Sequence, residues 1–69
     1  MRTELWESDP FTEKRLSLID TLETDYRWVK GDPMLHTRGG LHERFRVISV
    51  EVQLADAGLT REVLLLRLD

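Results

Sequence analysis

The segment 43–69 constrains this chain most, because apolar and polar residues alternate through its first half. The two rows interleave as Ile48, Val50, Val52 and Leu54 against Ser49, Glu51 and Gln53. A period of two places one row on a core and the other in water, which is typical of a half-buried β-strand. Asp56-Ala57-Gly58 follows, and glycine in the third position suits a three-residue hairpin loop. A β-hairpin is therefore predicted, with strands at 43–55 and 59–68 and with Asp56 and Gly58 as its turn residues.

The three-residue loop also predicts how the two strands pair. It opposes Ala55 with Leu59, and counting outward from that pair sets Val50 opposite Leu64 on the core face. A two-residue turn at 57–58 would shift every pair and mix the two faces, so it is the second choice.

The same register leaves Val63 and Leu65 on the opposite face of the hairpin. Their predicted cross-strand neighbours, Glu51 and Ser49, are polar. Two large apolar residues on a half-polar face need a covering segment or another chain. Because the segment 11–30 is needed over the other face, little chain remains for a second layer. Val63 and Leu65 are therefore predicted to contact a protein partner, or a second copy of this chain.

Length and composition exclude several classes of protein. The 69 residues form one small domain or a fragment of a larger one. No cysteine and only two histidines argue against a disulfide framework and a structural zinc site. The net charge is −3, whereas a nucleic-acid-binding face needs a basic excess. No apolar run reaches transmembrane length, and no signal peptide begins at Met1. We expect no cofactor, metal, nucleic acid or membrane segment.

The segment 11–30 fits two interpretations. In a helix over 10–28, Asp9 would be the N-cap and Pro10 the first helical residue, positions at which both are favoured. With helical spacing over the whole stretch 11–30, one stripe would collect Leu18, Ile19, Leu22, Tyr26 and Val29. As strands, the same segment alternates cleanly, and Thr-Asp-Tyr-Arg-Trp-Val favours extended structure. The pattern alone slightly favours the helix.

The remaining segments predict a short strand at 2–7, a turn at 30–33 and a loop at 34–41. Within and after that loop, Arg38, Arg44 and Arg46 form a local basic cluster that suits a phosphate, a carboxylate or a protein partner. The structural alternative is that two of them mark where the sheet leaves the core. His36 and His42 are interpreted as solvated loop residues. We identify no nucleophile with a partnering base and therefore expect no catalytic residues and no enzyme.

Two stretches match a known module: Leu-Ile-Asp-Thr-Leu-Glu-Thr-Asp-Tyr-Arg-Trp at 18–28 and the hairpin at 47–66. The matching positions are Leu18-Ile19-Asp20, Tyr26, Trp28, Val50-Glu51-Val52, Asp56, Gly58, Arg61 and Leu64-Leu65-Leu66. In this order they resemble the carboxy-terminal part of the J-type minor pseudopilins of type II secretion systems, and W-type minor pilins are similar. The prepilin leader and long apolar helix of that family are not in this sequence, so the resemblance concerns the periplasmic part.

The resemblance implies strands at 15–19 and 22–30. We therefore predict a mainly β fold, a small antiparallel sheet built on the C-terminal hairpin, with an α+β fold carrying a helix at 10–28 as the alternative. The implied role is structural and non-catalytic: assembly with other minor pseudopilins at the tip of a periplasmic pseudopilus. The competing expectation is a small cytoplasmic or phage-borne regulator that binds a protein through the arginine cluster.

Overall fold

Five β-strands and no helix make up the computed structural model, which describes residues 1–68. The strands are β1 (Arg2–Ser8), β2 (Arg15–Glu23), β3 (Pro33–Arg38), β4 (Leu41–Ala55) and β5 (Gly58–Arg67). They form one curled sheet in the order β2-β1-β5-β4-β3. The prediction of a mainly β fold is confirmed. In the part of the chain that is described, no helix could span a membrane.

The helix alternative at 10–28 is wrong, although its start signal is real. The Oδ1 atom of Asp9 accepts the backbone N–H groups of Phe11 and Thr12 at 2.8 and 2.9 Å, as a helix N-cap does. The chain then turns back instead of continuing, because Glu13 has a φ of 57° and the Asp9 N–H donates to the Lys14 carbonyl at 2.8 Å. This closed turn starts β2, which pairs along β1.

The sheet is mixed rather than antiparallel throughout. β1 lies between β2 and β5, and it runs parallel to β5 from the pair Arg2–Thr60 to the pair Glu7–Leu65. The other three neighbouring pairs are antiparallel. Parallel neighbours need a long connection, and here the whole of β2, β3 and β4 supplies it. The short strand predicted at 2–7 is therefore a central strand of the sheet.

The core lies on the inner, concave face of the sheet. Its buried side chains are Leu5, Ile19, Phe45, Val47, Val63 and Leu65, with Leu22, Trp28, Met34 and Val50 packed against them. The curl brings β2 and β3 towards each other. An Nη1 atom of Arg38 donates to the Ile19 carbonyl at 3.4 Å, and Nε2 of His36 lies 3.5 Å from an Oδ2 atom of Asp20. Side chains of β3 thus contact β2, the strand at the opposite edge of the sheet, across a gap called the seam below. The core lies inside this curl.

The hairpin is present, but its predicted register is wrong by one residue. Ala55 pairs with Gly58 across a two-residue loop, and Val50 pairs with Val63 instead of Leu64. Ile48 is a bulge between the pairs Val47–Leu65 and Ser49–Leu64. The extra residue shifts the alternation of β4 so that apolar residues on both sides of the bulge face the core.

Val63 and Leu65 are consequently core residues, and the prediction that they form an exposed contact face is wrong. Both side chains are 0% exposed. They pack in one cluster with Leu5 of β1 and Phe45 of β4, so the curled sheet itself covers them.

Two connecting segments also differ from prediction. Residues 15–23 form one strand, and no strand continues to residue 30. The predicted loop at 34–41 is mostly strand, because β3 pairs with β4 across Gly39-Gly40. These two glycines have φ values of 58° and 82°, which a tight two-residue reversal requires.

Candidate interaction surface

β4 is longer than β3, its neighbour on the side away from β5. β3 pairs only with residues 41–46 of β4, and the turn before β3 extends that edge by one residue. There Gly31 N–H donates to the Val47 carbonyl at 2.7 Å, and Val47 N–H donates to the Asp32 carbonyl at 2.9 Å. Beyond Val47, within residues 1–68, β4 has a strand neighbour only on its β5 side. The edge from residue 48 to residue 55 is therefore open.

The part of the hairpin that carries the open edge, residues 48–64, is called the free half, and the exposed side chains on its inner face are apolar. Val52, Leu54 and Leu59 are 55%, 81% and 50% exposed, and Leu54 and Leu59 are directly opposite each other. They continue the same row that begins in the core with Val63 and the half-buried Val50. The row runs past the end of the covering segments, so the hairpin exposes a contiguous apolar strip beside its open edge.

The outer face of the same half is polar. Glu51 and Glu62 are cross-strand neighbours, an arrangement that is unfavourable for like charges. Arg15 offsets it, because its Nη1 atom donates to Glu62 at 2.7 Å while its guanidinium lies 4.8 Å from the centroid of the Trp6 ring. The two faces of the hairpin thus differ, because the large apolar side chains near the turn, Val52, Leu54 and Leu59, all lie on the inner face.

A buried arginine anchors the root of the hairpin. Arg61 is 7% exposed, and its Nε and Nη2 atoms both donate to Oγ1 of Thr3, at 3.1 and 3.0 Å. Nη2 also donates to the carbonyl of Thr24 at 3.2 Å, and the guanidinium lies 5.0 Å from the centroid of the Trp28 ring. Neutral oxygens and an aromatic face, rather than a carboxylate, thus hold this cation. They tie β5 to β1 and to the segment after β2, so the β5 side of the free half is fixed while its β4 edge is open.

Near Arg61, the amine of Met1 pairs with two carboxylates. Asp25 Oδ1 accepts a hydrogen bond from the Met1 amine at 3.0 Å, and Glu23 lies 2.8 Å from the same amine. That hydrogen bond lowers the pKa of Asp25, with a smaller contribution from the charge of Arg61. The two carboxylates also raise the pKa of the Met1 amine through their hydrogen bonds. Both acids are exposed, so the base of the hairpin is polar on this side.

The three predicted arginines do not form one cluster. Alternation along β3 and β4 places Arg38 on the inner face, opposite Leu41, and Arg44 and Arg46 on the outer face. Arg38 donates to Ile19 across the seam, and an Nη1 atom of Arg46 donates to the Gly31 carbonyl at 2.8 Å. Two of the three therefore stabilise local structure, and no single surface offers all three to an anion.

The histidines take part in local contacts. His42 Nδ1 lies 3.1 Å from Oγ1 of Thr37, and His36 faces Asp20 across the seam. In residues 1–68 no group of three histidine, aspartate or glutamate side chains is arranged to hold a metal ion.

The alternating sequence pattern places Val52 and Leu54 on the core face but does not indicate that they are exposed. The feature that indicates the exposed strip is the difference in length between neighbouring strands. β4 has 15 residues whereas β3 has 6, so β3 leaves the second half of β4 without an outer neighbour. Asp56 lies in the turn as predicted, and Gly58 has a φ of 117° but is paired with Ala55. Comparisons with protein-family models, with curated proteins and with solved structures find no match for this chain.

Proposed function

We propose that this chain is a non-catalytic protein-interaction domain and that its contact surface is the free half of the β4–β5 hairpin. The observation that carries the proposal is the open edge of β4 beyond Val47, beside the exposed side chains of Val52, Leu54 and Leu59. An open edge is recognised by an extended segment of another chain, whose main chain bonds to the unpaired N–H and C=O groups. Apolar side chains next to the edge then supply additional buried area.

Charge favours a protein over a nucleic acid at this surface. The chain has a net charge of −3, and Glu51 and Glu62 stand on the outer face of the hairpin. Phosphate backbones are bound by groups of lysine and arginine, and the one arginine within the free half, Arg61, is already bound to Thr3 and Thr24. A polypeptide strand is therefore the occupant that this chemistry fits.

The biological setting that we propose is a minor pseudopilin assembly of a type II secretion system, in the periplasm. Its support is the resemblance described above, since Val50-Glu51-Val52, Asp56 and Gly58 carry part of that resemblance and lie in the free half of the hairpin. In this setting the domain would assemble with other minor pseudopilins. No specific observation favours the alternative of a cytoplasmic regulator acting through the arginine cluster.

Calorimetric titration against the purified periplasmic domains of other minor pseudopilins tests this function. We expect saturable binding by the unchanged chain and its loss in Leu54→Lys, because this residue is 81% exposed and its replacement should leave the fold intact. Leu41→Lys is the matched control, since Leu41 is 67% exposed at the other hairpin turn. Binding that survives Leu54→Lys, or the absence of binding by the unchanged chain, would rule out the proposal.

A further inference from the structure

We infer that the open edge of β4 pairs antiparallel with the same edge of a second copy of this chain. The two five-stranded sheets then join into one continuous sheet around a two-fold axis. This inference rests on the proposed interaction surface. It states that a second copy of the chain binds there when no other protein does. It follows from the direction of the backbone groups, from the side chains that the pairing opposes, and from the lack of edge protection.

The backbone direction is set before the bulge by observed hydrogen bonds. Val47 bonds to Gly31 and Asp32, away from β5, whereas the Arg44 carbonyl accepts the N–H of Leu68 at 2.9 Å. Before the bulge, the backbone N–H and C=O groups of odd-numbered residues of β4 therefore point away from β5. Those of even-numbered residues point towards β5. Gly39-Gly40 agrees with this, because Leu41 closes that turn by pairing outward with β3.

The bulge at Ile48 shifts the alternation by one residue. Beyond it, Ser49 pairs with Leu64, so the outward groups become those of Val50, Val52 and Leu54. The hairpin loop gives the same result independently, because Ala55 must bond inward to Gly58 to close a two-residue turn. Three consecutive outward residues thus offer N–H and C=O groups along an open edge.

This edge is complementary to itself in one register. With Val52 of one copy opposite Val52 of the other, Val50 opposes Leu54 on the apolar face. On the polar face Glu51 opposes Gln53, and a carboxylate can accept the amide N–H of that partner. A register centred on Glu51 would instead place two like charges directly opposite each other, which is unfavourable. The arrangement centred on Val52 therefore satisfies both faces at once.

The other exposed edges of the sheet carry protection that this one lacks. β3 begins with Pro33, and side chains cross the seam between β2 and β3 from Arg38 and His36. Residues 49–55 contain no proline and no lysine, and their single charge, Glu51, lies on the outer face. Hydrogen bonds from the turn at 30–32 stop at Val47, so the open edge begins after Val47 and includes residues 49–55.

Sedimentation velocity of the unchanged chain over a range of concentrations gives the first test. We expect a concentration-dependent dimer. In the same samples, amide hydrogen exchange at Val52 and Leu54 should slow as the dimer forms, because their N–H groups point outward in the monomer. Gln53 bonds inward and should exchange slowly at every concentration. A monomer at all concentrations, or exchange at Val52 that does not depend on concentration, would overturn the inference.

Charge variants at Val52 test the register. Val52→Lys and Val52→Glu each place like charges face to face at the two-fold axis, so each protein alone should lose the dimer. An equimolar mixture should regain it, because lysine then faces glutamate. Leu41→Lys is the control that keeps the dimer. Dimers of either variant alone, or no recovery in the mixture, would contradict this register.

The two proposals fail in different ways. A monomeric chain that still loses binding to other pseudopilin domains in Leu54→Lys would overturn the self-pairing and leave the proposed function in place. A dimer with the expected behaviour at Val52, together with no binding to those domains, would overturn the proposed function and leave the self-pairing in place.

Discussion

At the scale of single residues, Arg61 stands out because it is a charged residue that is buried. A buried guanidinium has to be hydrogen-bonded, and here Thr3 supplies one oxygen to two of its donors. Thr3 is itself 0% exposed, and it lies beside Arg61 because the two residues pair across β1 and β5. A polar pair in this place orients the parallel strands, since a slip of one residue would bury the guanidinium without its acceptor.

Replacing Thr3 with valine keeps the shape of the side chain and removes the oxygen that accepts from Arg61. Because the freed donors are buried, we expect the free energy of unfolding to fall by about 1–3 kcal/mol. Thr21→Val, at an exposed position on β2, is the control and should change it by less than about 0.5 kcal/mol. Urea denaturation measures both, and equal effects would show that Thr3 does not hold Arg61.

Gly58 adopts a φ of 117°, a value that β-branched residues strongly disfavour. A Cβ atom added there would meet nothing within 4 Å, so any cost of Gly58→Val is backbone strain and not a clash. We expect a loss of about 1 kcal/mol or more in thermal unfolding. Ala57→Val, in the same turn but without a positive φ, is the matched control. An unchanged melting midpoint for Gly58→Val would contradict this turn geometry.

At the scale of elements, β5 and the bulge in β4 determine which residues form the core. All ten residues of β5 pair with β4, and the bulge at Ile48 keeps the apolar row of β4 on the inner side through a change of alternation. Without the bulge, the residues before and after it would face opposite sides. The one extra residue therefore separates the half of β4 that packs in the core from the half that carries the open edge.

Leu65→Ala tests this assignment of faces. The side chain is 0% exposed, so we expect a loss of about 2–5 kcal/mol in the free energy of unfolding. Leu66→Ala should cost clearly less, because Leu66 is only partly buried on the outer face. Denaturant titration of the two variants gives the comparison. The order would be reversed if the hairpin had the register in which Leu66 faces the core.

At the scale of the whole molecule, each end of the central strands is tied by a different arginine. Arg61 holds the end near the hairpin. At the other end, Arg67 donates to Glu7 of β1 at 2.8 Å and lies 3.0 Å from Glu43 of β4, with its guanidinium 5.0 Å from the centroid of the Phe45 ring. Three neighbouring strands are thus joined at one end, while the hairpin turn lies beyond Arg61 at the other.

The ion pair between Glu7 and Arg67 should make stability depend on pH. Hydrogen bonds from Arg67 hold the pKa of Glu7 below its ordinary value of 4.5. A carboxylate with a lowered pKa in the folded state stabilises the fold above the unfolded pKa, and this contribution is lost as the pH falls through the folded pKa. The stability difference between the unchanged chain and Glu7→Gln should therefore be largest near neutral pH and shrink below pH 4.5.

Thermal unfolding over an acidic pH series measures this difference. In a chain that already carries Arg67→Gln, the additional substitution Glu7→Gln should show no comparable pH dependence. A difference that stays constant from neutral to strongly acidic pH would mean that the pair does not contribute.

The sequence by itself determined the existence of the C-terminal hairpin and the position of its turn at Asp56, whereas the mainly β class was predicted from the family resemblance. The hairpin and its turn depend on local chemistry: an alternating pattern favours an extended strand, and a glycine accepts a backbone conformation that other residues avoid. Asp9 accepts backbone N–H groups as the sequence predicts for a helix N-cap, because this hydrogen bonding is also local. It does not start a helix, because pairing with β1 is what makes the next residues extended.

Only the tertiary structure decided the register, the faces and the exposed surface. A bulge at Ile48 leaves little trace in an alternating sequence, yet one extra residue moves Val63 and Leu65 from a predicted contact face to the core. The parallel pairing of β1 with β5 joins the two ends of the chain, which no local pattern encodes. Val52 and Leu54 are exposed for a related reason, since burial depends on where neighbouring strands end and not on the residues themselves.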